Sequence, residues 1–175
     1  RRLVPFGEFV PFRRFLPFVD AIAGPVDFSP GAANTLFAVS SYGKMRLLIC
    51  YETLFPGLGT GSGERPDILV NLTNDAWFGH TPGPWQHLAQ ARMRAVEEGI
   101  PILRVANTGI TAAFDGAGRQ LGMIGLGEAG FVDIALPPRL EPPVYTQWRE
   151  VIWLLIVTVF CGAIKRLDRK GSLGQ

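Results

Sequence analysis

Residues 45–50, Met-Arg-Leu-Leu-Ile-Cys, and residues 68–72, Ile-Leu-Val-Asn-Leu, decide the fold class. Each is an apolar run of strand length, and the pair predicts two buried strands. Between them, 57–65 has the glycines and serine of a surface loop. Pro84 then opens a helical pattern in which Trp85, Leu88, Ala89, Met93 and Val96 share one face while Gln90, Arg94 and Glu98 turn elsewhere. Gly99 and Pro101 end that helix. Residues 102–106, 110–114 and 130–134 read as three further strands, with turn chemistry at Asp115-Gly116 and Gly118. This order predicts an α/β layer architecture, because strands that are apolar on both sides need helices to cover them.

Composition narrows the function classes. A net charge of +2 with 18% charged residues gives no field of the kind that gathers nucleic acid. The two cysteines, Cys50 and Cys161, sit in unlike surroundings, so no disulfide is expected. His80 and His87 lack partners at metal-ligand spacing, so neither a metal nor another cofactor is expected. The chain opens at Arg1 in the middle of a patterned stretch, which reads as a piece of a longer protein.

Residues 137–143 hold four prolines and read as a linker, extended to 137–146, that closes a domain over 1–136. Residues 151–164 carry no charge, Trp148 and Trp153 lie near their start, and Lys165, Arg166, Arg169 and Lys170 follow. The pattern predicts a transmembrane helix over 147–166 with a cytoplasmic tail over 167–175, which puts the α/β domain on the outer side. The competing reading is a buried helix, because 14 uncharged residues fall short of the roughly 20 that span a bilayer. Cys161 is expected to face lipid or another helix.

Cys50 ends an apolar strand and precedes Tyr51-Glu52 and a turn at Pro56-Gly57, a position from which a thiolate could reach a carbonyl carbon. A cysteine beside leucine and isoleucine is equally read as packing. Glu8 lies on an irregular segment between two prolines and among aromatic residues, either as a carboxylate orienting a cation or as an ordinary loop acid. Residues 71–79 follow a strand with turn formers and then Trp77 and Phe78, which reads as a pocket wall or as a capped turn with an apolar plug. Residues 107–109 carry the same two readings.

Five segments taken in series resemble a known family: LVPFGEFVP (3–11), LLICYE (47–52), NLTNDAWFG (71–79), GPWQHLAQARMRAVE (83–97) and RVANTGITA (104–112). They are similar to the second half of the apolipoprotein N-acyltransferase family of the nitrilase superfamily. The resemblance implies part of a nitrilase-like α-β-β-α sandwich followed by a C-terminal transmembrane helix. It also implies a glutamate, lysine and cysteine triad, of which this chain shows only Cys50, the nucleophile. The lysine is expected just before Arg1 and the glutamate earlier, so the chain is expected to be inactive alone. Arg1 and Arg2 do not replace that lysine, since a guanidinium stays protonated. Glu8 matches a supporting carboxylate, and the Tyr51 backbone N–H is expected to meet the oxyanion.

Substrate contacts are expected at Glu52, Asn74, Trp77, Phe78, Phe12 and Phe15. A wider apolar approach adds Phe6, Phe9 and Phe18, with Arg13 and Arg14 placed to meet phosphates. The implied reaction moves a fatty acyl chain from a phospholipid, through a Cys50 thioester, to the N-terminal amine of a diacylglyceryl-cysteine apolipoprotein. The implied partners are those two lipids and the membrane, and the implied location is the periplasmic side of the bacterial inner membrane. Two rivals remain: a nitrilase-type amidase acting on a small amide, and a catalytically silent membrane-anchored binding module.

Overall fold

The structure is a computed structural model that describes residue 3 and residues 8–15, 27–31, 35–39, 41–58 and 63–171, without the side chains of 149–150 and 166–171. Along the chain run β1 (Phe37–Val39), β2 (Gly43–Ile49), β3 (Ile68–Asn74), α1 (Gly83–Glu98), β4 (Ile102–Asn107), β5 (Thr111–Phe114), β6 (Gln120–Ile124) and α2 (Val144–Gly171). Three short 3-10 turns, Arg13–Phe15, Cys50–Leu54 and Ala76–Phe78, interrupt them. The strands form one mixed sheet in the order β1-β2-β3-β4-β5-β6. Its centre, β2-β3-β4, is parallel, whereas β1, β5 and β6 join antiparallel. Parallel neighbours need a crossover, and α1 supplies the one between β3 and β4.

The core lies between α1 and one face of the sheet. Leu48, Leu69, Ile102, Ala112 and Phe114 meet Leu88, Ala91 and Ala95 there, and the two alanines allow the helix to approach closely. Gly99 ends α1 in the left-handed region at φ 65°, its N–H donating back to Ala95 and Val96. On the sheet's other face Ile49, Leu72 and Val105 stand in register across the three parallel strands and are exposed. Among the described residues these make one sheet and one helical layer, a part of the expected sandwich.

The structure departs from the sequence reading at four points. Trp85, Met93 and Val96 are exposed, and α1 instead buries Pro84, His87, Leu88, Ala91, Arg94, Ala95 and Glu98. Small residues and polar side chains with fixed partners won that face, which a search for large apolar residues overlooks. Residues 130–134 form no strand; the hairpin partner of β5 is β6. Val132 and Ile134 instead pack on Gly122, where a Cβ would lie within 3.1 Å of both, so their apolar alternation is satisfied without a ladder. β1 went unforeseen, its three residues being too few to show a period.

The fourth concerns the C-terminus. The chain divides into Arg1–Leu140 and Glu141–Gln175. The second unit holds α2, a helix as expected, yet among the described residues no helix is long and apolar enough to cross a membrane. Its uncharged run of 14 residues spans about 21 Å, against a hydrocarbon core of about 30 Å. Leu154, Leu155, Val159, Phe160 and Cys161 are exposed on it.

Candidate active site

Cys50 stands where β2 stops and the turn Cys50–Leu54 begins, at the carboxyl end of a parallel strand. Its backbone is left-handed, with φ 49°, a conformation that costs a residue bearing a Cβ about 1–2 kcal/mol. The side chain is half-buried. Strain of this kind persists only where the surroundings over-determine it, and here they do.

Polar side chains from three elements hold the turn. From β3, Asn71 Nδ2 donates to the carbonyls of Leu48 (3.1 Å) and Cys50 (3.2 Å). Glu52 closes the turn locally, its Oε2 accepting the Ile49 N–H at 2.8 Å. From α1, Arg94 Nε donates to the Thr53 carbonyl at 3.0 Å and Nη2 to that of Leu54 at 3.4 Å. Glu98 Oε1, also from α1, accepts the Gly57 N–H at 3.1 Å.

Beneath the turn lies a buried chain of polar groups. Arg104, on β4 and in register with Asn71, donates from Nη1 to Asn71 Oδ1 at 2.7 Å. Its Nη2 pairs with Asp75 Oδ2 and its Nε donates to the Ile110 carbonyl at 3.3 Å. Asp75 Oδ1 lies 2.9 Å from His87 Nδ1 and accepts the Thr73 hydroxyl at 3.2 Å. His87 Nε2 in turn lies 3.5 Å from the Thr53 hydroxyl. Side chains of Arg104 and Asp75 are fully shielded from solvent, where an unpaired charge would be prohibitive. Gly109 is required over them, because a Cβ there would sit 2.6 Å from Asp75 Oδ2.

Burial, followed by the positive charge of Arg104, pushes the His87 imidazole below its ordinary value, against the pull of Asp75. This favours the neutral ring, whose Nδ1 lies 2.9 Å from Asp75 Oδ1 and 3.3 Å from Arg104 Nη2. Burial likewise pulls Arg104 down from its ordinary value, opposed by Asp75.

Several expected site residues surround this arrangement. Tyr51 is exposed with its ring edge-on to Phe55, and its N–H is among the first of a 3-10 turn, groups that lack intrahelical acceptors. Trp77 is 86% exposed, while Phe78 is half-buried edge-on to His87. Glu52 is buried in its cap, and the exposed Asn74 has its Oδ1 accepting the Ala76 N–H at 3.1 Å. Both side chains shape turns.

Phe12 and Phe15 lie on the separate turn around Arg13–Phe15 and are 77% and 64% exposed, with the Arg14 guanidinium over the Phe15 ring. Arg13 pairs with Asp27 at 2.6 Å instead of standing open. Phe9 and Glu8 are half-buried, and the Glu8 carbonyl accepts the Phe28 N–H at 2.8 Å. Phe6, Phe18, Arg1 and Arg2 lie outside the described residues.

His87, Arg94 and Arg104 were not foreseen as parts of the site, and Asn71 and Asp75 only as members of the segment 71–79. A signal existed: an arginine in the middle of the apolar strand 102–106 must find a buried partner, and Asn71 and Asp75 end the neighbouring run.

The chain is 40% identical over 176 residues to the apolipoprotein N-acyltransferase of Rhizobium rhizogenes, covering 99% of this chain and 33% of that protein. It is 46% identical over 156 residues to the apolipoprotein N-acyltransferase of Rhizobium etli, covering 87% and 29%. It thus spans about a third of the length of the curated relatives it matches. Among solved structures, Saccharomyces cerevisiae Nit3, of branch 10 of the nitrilase superfamily, is 25% identical with a TM-score of 0.47, covering 58% of this chain and 40% of that one. The carbon-nitrogen hydrolase family model matches residues 10–140, three-quarters of the chain, and the chain belongs to that family.

Proposed function

We propose that the protein carrying this chain transfers a fatty acyl group from a phospholipid to the N-terminal amine of a diacylglyceryl-cysteine apolipoprotein, with Cys50 as the nucleophile. The observation that carries the reading is the left-handed, half-buried Cys50 at the end of a parallel strand, held by side chains of β3 and α1. A cysteine serving only as packing has no need of a strained backbone over-determined in this way. The names of the similar proteins supply the substrate class.

In the first half-reaction a carboxylate, contributed from ahead of Arg1, takes the Cys50 proton. The thiolate attacks the ester carbonyl carbon, a C–S bond forms, the ester C–O bond breaks, and the departing oxygen recovers the proton as lysophospholipid leaves. The Tyr51 N–H and a lysine from the same upstream part stabilise the oxyanion, and Glu8 supports that lysine. In the second half-reaction the apolipoprotein amine attacks the thioester, a C–N bond forms, the C–S bond breaks, and the amine proton passes through the carboxylate to restore the thiol. Trp77 and Phe78 flank the acyl path, and Phe12 and Phe15 with Arg14 meet the lipid surface. We place the site on the outer side of the inner membrane, and the apolar side chains exposed around α2 support a membrane setting. Glu52 and Asn74, the other expected substrate contacts, also hold the turns that carry Cys50 and Trp77.

The test uses the full-length protein with phospholipid labelled in the acyl chain. A hydroxylamine-sensitive protein adduct is expected, discharged by a diacylglyceryl-cysteine peptide and absent from Cys50→Ala. Discharge only to water as free fatty acid would favour a hydrolase, and an adduct that survives Cys50→Ala would overturn the reading.

A further inference from the structure

The buried chain from Asn71 to His87 is almost wholly shielded from solvent, and it ends on the backbone of Cys50. An amide side chain has two faces, one donating and one accepting, and only one orientation serves Asn71. Its Nδ2 must face the carbonyls of Leu48 and Cys50, which accept but cannot donate. Arg104 enforces that orientation, because Nη1 donates to Oδ1 and would be left facing another donor if the amide turned over. Asp75 holds the second arm of the guanidinium, and His87 and Thr73 hold Asp75.

From this geometry we infer that Asn71, oriented by Arg104, is a positioning residue that fixes the Cys50 carbonyl and so aims the thiol. The inference rests on Cys50 being the nucleophile. The register brings Leu48, Asn71 and Arg104 into one row across β2, β3 and β4, so the support is a property of the sheet and not of a mobile loop. Rotating the Cys50 peptide out of its left-handed conformation would break the Asn71 bond and swing Cβ, and the sulfur with it. A displacement of about 1 Å at a reacting atom can slow a step by about 100-fold without weakening substrate binding.

Two variants test this in the full-length protein. Asn71→Asp keeps the shape but replaces both donors with an acceptor, and Asn71→Ser shortens the reach to the two carbonyls. Acyl-adduct formation is followed in single turnovers against phospholipid concentration, and each rate is divided by the folded fraction from near-ultraviolet circular dichroism. The expected result is a fall of about 100-fold in the saturating rate with the half-saturating phospholipid concentration within about twofold. A purely structural residue would change the folded fraction and leave the rate per folded molecule unaltered, and that result overturns the inference.

Should neither variant fold, Arg104→Lys carries the same test, since it keeps a cation for Asp75 and loses the fork arm to Asn71. Failure of all three to fold would make the network structural alone and also overturn it. Cys50→Ala, run alongside, separates the two levels. If it abolishes the adduct while the Asn71 variants react normally, the positioning role fails and the nucleophile stands. If the adduct survives it, the nucleophile reading itself fails.

Discussion

At Cys50 two demands conflict, since a residue bearing a Cβ is held at φ 49° and the proposed chemistry needs a thiol at that place. Glycine satisfies the first demand without the second. Cys50→Gly is therefore expected to be more stable than Cys50→Ala by about 1 kcal/mol, read from denaturant midpoints, because alanine retains the left-handed penalty. Equal stability would mean that the turn relaxes in solution. His87 sets a second residue-scale expectation. Its proton affinity is depressed by burial and by Arg104, so below about pH 6.5 the unfolded chain binds a proton that the folded chain refuses. Stability attributable to His87 is thus complete above that pH, falls as pH drops through it, and levels off below the depressed folded value. Melting temperatures from about pH 8 to about pH 5 should show this slope, and His87→Gln should flatten it.

Among the elements, α1 has two jobs on one face, covering the sheet and holding the turn that follows Cys50. Leu88→Ala is expected to cost about 2–3 kcal/mol and Met93→Ala less than about 1 kcal/mol, because Leu88 is in the core and Met93 is 46% exposed. Equal costs would return the helix to the face that its large apolar residues suggested. Arg94→Ala removes both donors to the Thr53 and Leu54 carbonyls, and a loss of about 2 kcal/mol is expected. Amide exchange at Phe55, whose N–H closes the turn on Glu52, should accelerate with it. Strands β2, β3, β4 and β5 were legible because apolar runs bounded by turn residues leave few alternatives. The buried face of α1 was not, because periodicity weighs residue size and cannot see that Arg94, Glu98 and His87 have partners waiting on the turn. Cys50 was legible as a strand-ending thiol; the network beneath it was not, since Asn71, Asp75 and Arg104 meet only across strand register, which no local pattern reports.

For the whole molecule, the open row Ile49, Leu72 and Val105 and the exposed apolar sides of α2 belong to a chain spanning a third of its relatives' length. The carbon-nitrogen hydrolase match covers the sheet, α1 and the Cys50 turn, all within the first unit, and the proposed lipid contacts fall on Phe12, Phe15 and α2. The proposed reaction carries a fatty chain for a moment on one sulfur. The direct measurement is peptide mass spectrometry of the full-length protein, quenched during turnover with a phospholipid of a single known acyl chain. That acyl mass should appear on the peptide containing Cys50, be absent from the one containing Cys161, and vanish when a diacylglyceryl-cysteine peptide is added before the quench. An unmodified Cys50 under conditions of turnover, or an acyl group found on any other residue, would contradict it.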